Sequence, residues 1–567
     1  MIPDRRDLLR AAGVLGVLGL GAACARIPTS SPIDSRPLEV QERPGAPYVQ
    51  ALPPPEDATP EELVSGFVQA GVGSEDDFAV AREYLTPELA PVWDPSAAVT
   101  VYSGSQEIEV EPLSETRLVL HLQTLSVVDQ RGVRSLLASP LAREIEIGVE
   151  LIEGQWRISD VPDGIYLSEA AFETLYSPTR LYFVDPRSAH LVPDHRWFAA
   201  QRGPAAILEG LRQGPVEMLR PAVRSEIPDS AEIALAEITT SPDGTLQVVV
   251  PAPITALPTA RRALALAQME ASLRSMPALA EVQLLLAGRA VNDDEEARIE
   301  RALPGHRPIA AGPRGVVALG EVEAGTDPVQ LVPGLAGRTV SSPVIAPDGI
   351  LVAALDTAGS TVLVASTDGS VPVRDAAAGG SFVPPRLDDA GYAWTSTRTN
   401  AGALLALSVP DARGDARIDA PWLAGREVRA LDLAADATRL LVLSADAGGA
   451  RVDLCAVVRD EDGAPSSLTE PVQLRTFLED VTQASWYDEI AMILLGTDPS
   501  TGEQRALVVD FASGRDPLPS PRPGTDRLAG TVIAEAIWAG TDSGQLLRSD
   551  GQTWSEIPLE ARDPSFY

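Results

Sequence analysis

The spacing of apolar positions changes several times along the chain, and each change marks a different piece of architecture. Residues 11–23 form an unbroken run of small and apolar side chains between Arg10 and Cys24. Over residues 24–57 no apolar period exists; Pro and Ser dominate and the stretch closes on Pro53-Pro54-Pro55, which predicts an extended tether. Helical spacing begins at Thr59-Pro60-Glu61-Glu62. There Thr59 can cap, Pro60 suits the first helical position and Glu62 completes a capping box ahead of Leu63, Val64, Phe67 and Val68. Ser74-Glu75-Asp76-Asp77 repeats the start signal and predicts a second helix carrying Phe78, Ala81, Tyr84 and Leu85. Strict alternation then takes over at residues 99–102, 117–128 and 145–151, and Glu153-Gly154 turns the last of these into a hairpin with 155–158. Two helices on an antiparallel sheet make an α+β module over residues 58–178.

A second α+β module is predicted over residues 179–292. Strands at Leu181-Tyr182-Phe183-Val184 and 191–198 precede a helix over 205–213 stopped by Gly214-Pro215, a strand at 247–250, a longer helix over 259–275 and a strand at 282–287. Asn292-Asp293-Asp294-Glu295-Glu296 opens an acidic linker over 293–312, without the even ligand spacing and sixth-position glycine of a calcium loop. Residues 313–567 carry short strands and turns with no helix-period segment. Strand–turn–strand units marked by Asp348, Asp389, Asp436, Asp488 and Glu535 recur at steps of about 41, 47, 52 and 47 residues, the period of four-stranded propeller blades. A β-sandwich is the alternative. The fold class is multidomain: two N-terminal α+β modules followed by an all-β, propeller-like domain.

Composition narrows the function. Lysine is absent, so all 45 basic side chains are arginine, and 80 acidic ones leave a net charge of −35. Such a chain repels polyphosphate, which excludes nucleic acid as a partner. The Arg, Ala, Gly and Pro usage is that of a GC-rich bacterial genome. Of two cysteines, Cys455 lies in an apolar strand pattern and reads as a buried thiol.

The other cysteine is Cys24. Arg5 and Arg6, a short apolar middle and small residues before a cut describe a secretory signal peptide over residues 1–23. The run is too short to span a bilayer, which takes about 20 apolar residues. Ala22-Ala23-Cys24 resembles the lipobox of bacterial lipoproteins, with Gly21 where that family prefers leucine. The resemblance implies cleavage between Ala23 and Cys24, an S-diacylglycerol on the Cys24 thiol and an N-acyl group on its freed amine. Two acyl chains at about 0.8 kcal/mol per buried methylene hold a protein to membrane lipid stably. Arg5-Arg6-Asp7-Leu8-Leu9 is also similar to a twin-arginine signal, so the Sec and twin-arginine routes both stay open. The expected location is the extracytoplasmic face of the cell membrane.

Candidate chemistry is sparse. The histidines are His121, His190, His195 and His306, and Asp185, His190, Asp194 and His195 form the one local cluster that suggests a metal or an acid–base pair. Their irregular spacing around Pro193 favours loop histidines satisfied by the backbone instead. There is no nucleophile elbow, phosphate loop or dinucleotide fingerprint. Ser549-Asp550-Gly551-Gln552-Thr553-Trp554 is close to the Asp-box turn of sialidase-type propellers, a structural turn even in enzymes. No catalytic residue, no metal and no cofactor is expected. The alternative is a cell-wall carbohydrate-binding or glycosidase-like propeller, which would need paired carboxylates about 5–9.5 Å apart in a cleft.

Taken together, the Phe67 helix, Asp76-Asp77-Phe78-Ala79-Val80-Ala81-Arg82, Leu85-Thr86-Pro87, Tyr182-Phe183-Val184-Asp185, Leu191-Val192-Pro193-Asp194, Arg196-Trp197-Phe198 and Gly214-Pro215 resemble the actinobacterial lipoprotein family LpqB. The second module resembles the GerMN domain of spore-germination and sporulation proteins. This resemblance implies a lipid-anchored accessory of the MtrA–MtrB two-component system, contacting the sensor kinase MtrB outside the cell.

Overall fold

A computed structural model describes residues 51–567, apart from 105–107, 232–237, 242, 277–280, 287, 292–298, 321–327, 400–401, 411–413, 512–513 and 535. The signal and Cys24, most of the tether and the acidic run at 292–296 lie outside the described residues. The described residues fall within one compact unit.

The first module starts with the helix Pro60–Ala70, and both halves of its capping box form: Thr59 Oγ1 accepts from the Glu62 amide at 3.2 Å and Glu62 Oε2 from the Thr59 amide at 2.9 Å. Its apolar stripe, Leu63, Val64, Phe67 and Val68, is buried in the module's core. The sheet beneath runs Gln155–Asp160, Arg134–Ile152, Arg117–Asp129, Ala98–Tyr102, Ile165–Ser168. Ile165–Ser168 joins it parallel, and the Ser168 side chain caps a helix, Glu169–Leu175, that the sequence reading lacks. The predicted second helix shrinks to one turn, Ala79–Arg82. Asp76, Asp77 and Phe78 all take positive φ (46°, 57° and 60°), so the acidic run is a left-handed turn instead of a helical start. Arg82 fastens that turn to the Trp93 carbonyl at 3.0 Å.

Helix Glu169–Leu175 passes straight into the second module's first strand, Tyr176–Val184, which pairs antiparallel with His190–Ala199. A separate four-stranded sheet contains Thr245–Val249 and Glu281–Leu286, and helices Gly203–Gln213 and Thr259–Arg274 help to bury Leu181, Phe183, Val248, Met269 and Leu273 in one core.

The C-terminal region is a propeller. Five blades follow in chain order, led by the strands Val340–Ile345, Arg386–Leu387, Glu427–Leu433, Glu479–Asp488 and Thr525–Ala529. Asp348, Asp389, Asp436 and Asp488 all sit at the first turn of their blade, which is why they carried the period. Glu535 is outside the described residues. The longest step crosses blade 3, whose third strand, Gly449–Arg459, pairs with both Pro465–Leu468 and Val472–Leu474. A sixth, closing blade differs from the sequence reading. Pro308–Gly312, assigned there to the linker, pairs with Gly315–Ala318 on one side and with the C-terminal strand Arg562–Phe566 on the other. Such a pairing joins chain ends far apart in sequence, so no local pattern announces it. The expected linker also supplies Glu300–Arg301, which lies parallel to His190–Ala199 in the second module. Arg562–Phe566 touches the lead strands of blades 1 and 5, and each remaining lead strand touches the next, so the inner strands close a ring of six and rule out a sandwich.

Polar side chains staple neighbouring blades. Asp432 of blade 3 accepts from Arg386 Nε of blade 2 at 2.6 Å and from the Trp486 amide of blade 4 at 2.7 Å. Asp563 of the closing strand accepts from the Ser342 amide of blade 1 at 2.8 Å. Cys455 is fully buried in blade 3, where burial pushes its thiol up. Asp550 Oδ1 accepts from the Gln552 and Thr553 amides, so the Asp-box-like segment is a closed turn.

Candidate functional site

Asp185, His190, Asp194 and His195 do not converge. Along the strand His190–Ala199 neighbouring side chains point to opposite faces, which separates Asp194 from His195. Asp194 is buried with Arg196 in a two-pronged ion pair at 2.8 and 2.7 Å and also accepts from the Val216 amide at 2.8 Å. His195 is half-buried with its Nε2 shielded from solvent, edge-on to Trp197 with ring centroids 6.2 Å apart, and desolvation holds it neutral with a pKa pulled down to about 4. Asp185 accepts from the backbone amides of Ala189 and His190 at 2.7 and 2.8 Å. His121 faces Glu111 at 3.7 Å on the first module's sheet, and His306 lies in the lead-in to the closing blade. Among the described residues no group of three or more His, Cys, Asp or Glu is placed to hold a metal ion.

His190 does something else. Its Nε2 lies 2.6 Å from Asp389 Oδ2 at the first turn of blade 2, and Arg187 Nη2 donates to Asp389 Oδ1 at 2.6 Å. Burial alone would lower the histidine pKa, but the Asp389 hydrogen bond and charge outweigh it and the pKa rises. Asp389 is correspondingly held at about 2: burial works against ionisation, and His190 and Arg187 overcome it. Two blades further round, buried Glu489 accepts from Tyr182 Oη at 3.0 Å and from Arg180 Nη1 at 3.3 Å, with Arg301 Nη1 at 3.8 Å; Arg180 also reaches Asp488 at 3.4 Å. Burial and Glu489 push the Tyr182 phenol up to about 12. Between these clamps, Ala456 and partly buried Val458 of blade 3 pack into the second module's own core. The second module is thus docked on the first-turn face of blades 2, 3 and 4. Of this contact the sequence reading held Tyr182, as a strand and motif residue, His190, and the markers Asp389 and Asp488. Arg180, Arg187 and Glu489 had no local signal beyond the doubled acids Asp388-Asp389 and Asp488-Glu489 at equivalent turns.

The first module is attached with equal care. Arg131 Nη2 donates to the carbonyls of Gly214 and Pro215, each at 2.8 Å, while the Trp197 amide donates to the Gly132 carbonyl at 2.7 Å. Gly132 has φ +81°, and a Cβ there would lie 2.7 Å from the Trp197 carbonyl oxygen, so only glycine fits. The Trp197 ring is buried in the first module's core against Phe172, at 4.8 Å between centroids.

Along the propeller axis runs a cavity of about 680 Å³, lined by Arg386, Arg429, Asp432, Gln483, Trp486 and Arg527 among others. Several of its polar groups are engaged between blades. Gln483 Oε1 accepts from the Leu528 amide at 2.6 Å, Arg429 Nη1 donates to the Val481 carbonyl at 3.0 Å, and Asp432, whose pKa burial raises against the pull of Arg386, holds its two staples. These carboxylates serve the fold.

Three family models match in succession: Lipoprotein LpqB, N-terminal domain, over residues 53–173; the sporulation and spore germination (Germane) model over 180–292; and the Lipoprotein LpqB beta-propeller domain over 320–566. The chain belongs to the lipoprotein LpqB family. Its relatives named Lipoprotein LpqB include proteins of Cutibacterium acnes, 26% identical over 87% of this chain and 86% of that one, and of Streptomyces avermitilis, 25% identical over 99% and 98%. The Rhodococcus opacus protein is 32% identical over 44% of this chain and 42% of its own length. Membership makes the chain a membrane-anchored lipoprotein with a GerMN-type middle module and a C-terminal propeller. No helix among the described residues is long and apolar enough to cross a membrane. Several residues that carry the family resemblance (Arg196, Trp197, Gly214 and Pro215) are the ones that join the LpqB N-terminal and GerMN modules.

Proposed function

We propose that this LpqB-family chain is exported, acylated on Cys24 and held on the extracytoplasmic face of the cell membrane, where it modulates MtrA–MtrB signalling by touching the extracytoplasmic domain of MtrB. The observation that carries the reading is the use made of the charged residues. His190 of the His–Asp cluster and the axial carboxylates Asp432 and Asp563, which an enzyme would turn to chemistry, are consumed in joining modules and blades, and Asp194 is paired with Arg196. What results is a three-module body presenting surface, at the end of a tether that rises about 3.1 Å per residue where proline-rich. A glycan-cleaving propeller is disfavoured for the same reason, since Asp432 and Asp563 are already bound to arginine or backbone amides.

The test is a transcriptional reporter of the response regulator with protein levels matched. Cys24→Ala should abolish the effect on the reporter. His195→Phe, which removes an imidazole held neutral by desolvation while keeping its packing, should leave it intact. Loss of signal in His195→Phe with export and folding unchanged would contradict the contact reading and reopen an enzymatic one.

A further inference from the structure

We infer that the uncovered part of the propeller's first-turn face, centred on Asp348 and Ile350 of blade 1, receives a protein segment that places an arginine beside an apolar side chain. The inference rests on the function proposed above and names the surface through which the kinase's extracytoplasmic domain is met.

The propeller's own repeat supplies the recognition chemistry. Asp348, Asp389, Asp436 and Asp488 occupy equivalent first turns. Arg439 satisfies Asp436 from within the propeller, 2.9 Å from its Nε. The GerMN module satisfies the other two sites across an interface, with Arg187 and His190 on Asp389 and Arg180 on Asp488. Asp348 is the exposed member: its Oδ1 accepts only from the Ile350 amide of its own turn, at 2.8 Å, and among the described residues no basic side chain pairs with it. Where the face is already docked, an acidic turn therefore meets a guanidinium, and the surface continuous with that interface offers the same turn unfilled.

The apolar half of the match lies alongside. Twelve large apolar side chains are exposed among the described residues, and four of them, Leu303 (47%), Ile350 (41%), Val532 (48%) and Ile533 (42%), belong to this face. Leu303 and Ile533 line the axial cavity, as do Asp348 and Gly349 next to Ile350, so this face surrounds a mouth into which an anchor side chain can insert. The GerMN contact has the same composition, ion pairs at the turns beside the apolar Ala456 and Val458.

The experiment uses the full-length acylated chain in nanodiscs and the purified extracytoplasmic domain of the kinase, with affinity read by surface plasmon resonance. Asp348→Arg should weaken binding by about tenfold or more, because it sets like charges against each other. Ile350→Asp with Ile533→Asp should do the same by removing the apolar frame. Val329→Asp, at a more exposed position outside this face, should change affinity by less than about twofold. All four positions are on the surface, and matched thermal unfolding certifies the folding of the three variants. Binding that ignores both face variants overturns this surface while leaving the proposed function standing. No binding by the wild-type chain overturns both. A wild-type chain that pairs with itself, and loses that pairing in Asp348→Arg, overturns the kinase as occupant in favour of a second copy.

Discussion

His190 and Asp389, 199 residues apart in the sequence, meet at 2.6 Å across the junction between the GerMN module and the propeller, with Arg187 on the same carboxylate. The junction should therefore respond to pH. His190 has a raised pKa in the folded chain, so its contribution is fully present below about 6.5, the unfolded value, and is lost as pH rises through the folded value. Asp389 is depressed to about 2, so its contribution holds above about 4 and fades as pH falls through the folded value. His190→Gln should cost about 1–2 kcal/mol near neutrality and flatten the decline in melting temperature above pH 6.5. Thermal unfolding of both proteins across pH 5–9 checks it; parallel curves would contradict the pairing.

His195 predicts the opposite slope in a different window. It is desolvated and neutral, with a pKa of about 4, while the unfolded chain titrates near 6.5. The unfolded state binds more protons between these values, so stability should rise with pH from about 4 to 6.5, by at most about 3 kcal/mol. His195→Phe should remove that rise and leave the region above pH 6.5 unchanged, as read by urea unfolding at fixed pH values.

What was legible in the sequence was local. The Thr59–Glu62 capping box, the strand alternation and the Gly214 helix stop each declare themselves within a few residues, and all form as read. Asp348, Asp389, Asp436 and Asp488 exposed the blade period because one turn chemistry recurs at one place in each blade. The misreadings share a cause. Ser74-Glu75-Asp76-Asp77 has the composition of a helix start, but the backbone turns left-handed at Asp76, Asp77 and Phe78, held by Arg82, which bonds both Asp77 and the Trp93 carbonyl. The closing blade pairs Pro308–Gly312 with Arg562–Phe566, and the GerMN clamps pair Arg180 with Glu489; neither has a short-range signature. The reading of His190 and His195 as loop histidines satisfied by the backbone fails for the same reason: both lie on the strand His190–Ala199, and His190 bonds Asp389, 199 residues away.

The buried pair Asp388–Arg459 predicts the largest single loss. Asp388 lies fully inside blade 2, accepting from Arg459 Nη2 at 2.5 Å, Trp394 Nε1 at 2.9 Å and the Tyr392 amide at 2.8 Å. Arg459→Ala strips its counter-charge and should destabilise the propeller by about 3–5 kcal/mol. Denaturant unfolding followed by tryptophan fluorescence measures it, and a loss under about 1 kcal/mol would show the pair to be dispensable.

Anchoring is checked separately. Cys24→Ala should abolish incorporation of a tagged fatty acid and release the chain from the membrane fraction, because a single unacylated tether has no apolar area to bury in lipid. Equal labelling of wild type and variant would place the lipid elsewhere.

The central claim is that the chain works by contact with a sensor kinase, and crosslinking in intact cells tests it most directly. A photoreactive residue at position 350, activated in living cells and followed by identification of the captured protein, should yield the kinase as the dominant adduct, with none in the Cys24→Ala strain. Adducts with cell-wall glycan and no kinase, at wild-type levels of correctly exported protein, would contradict it.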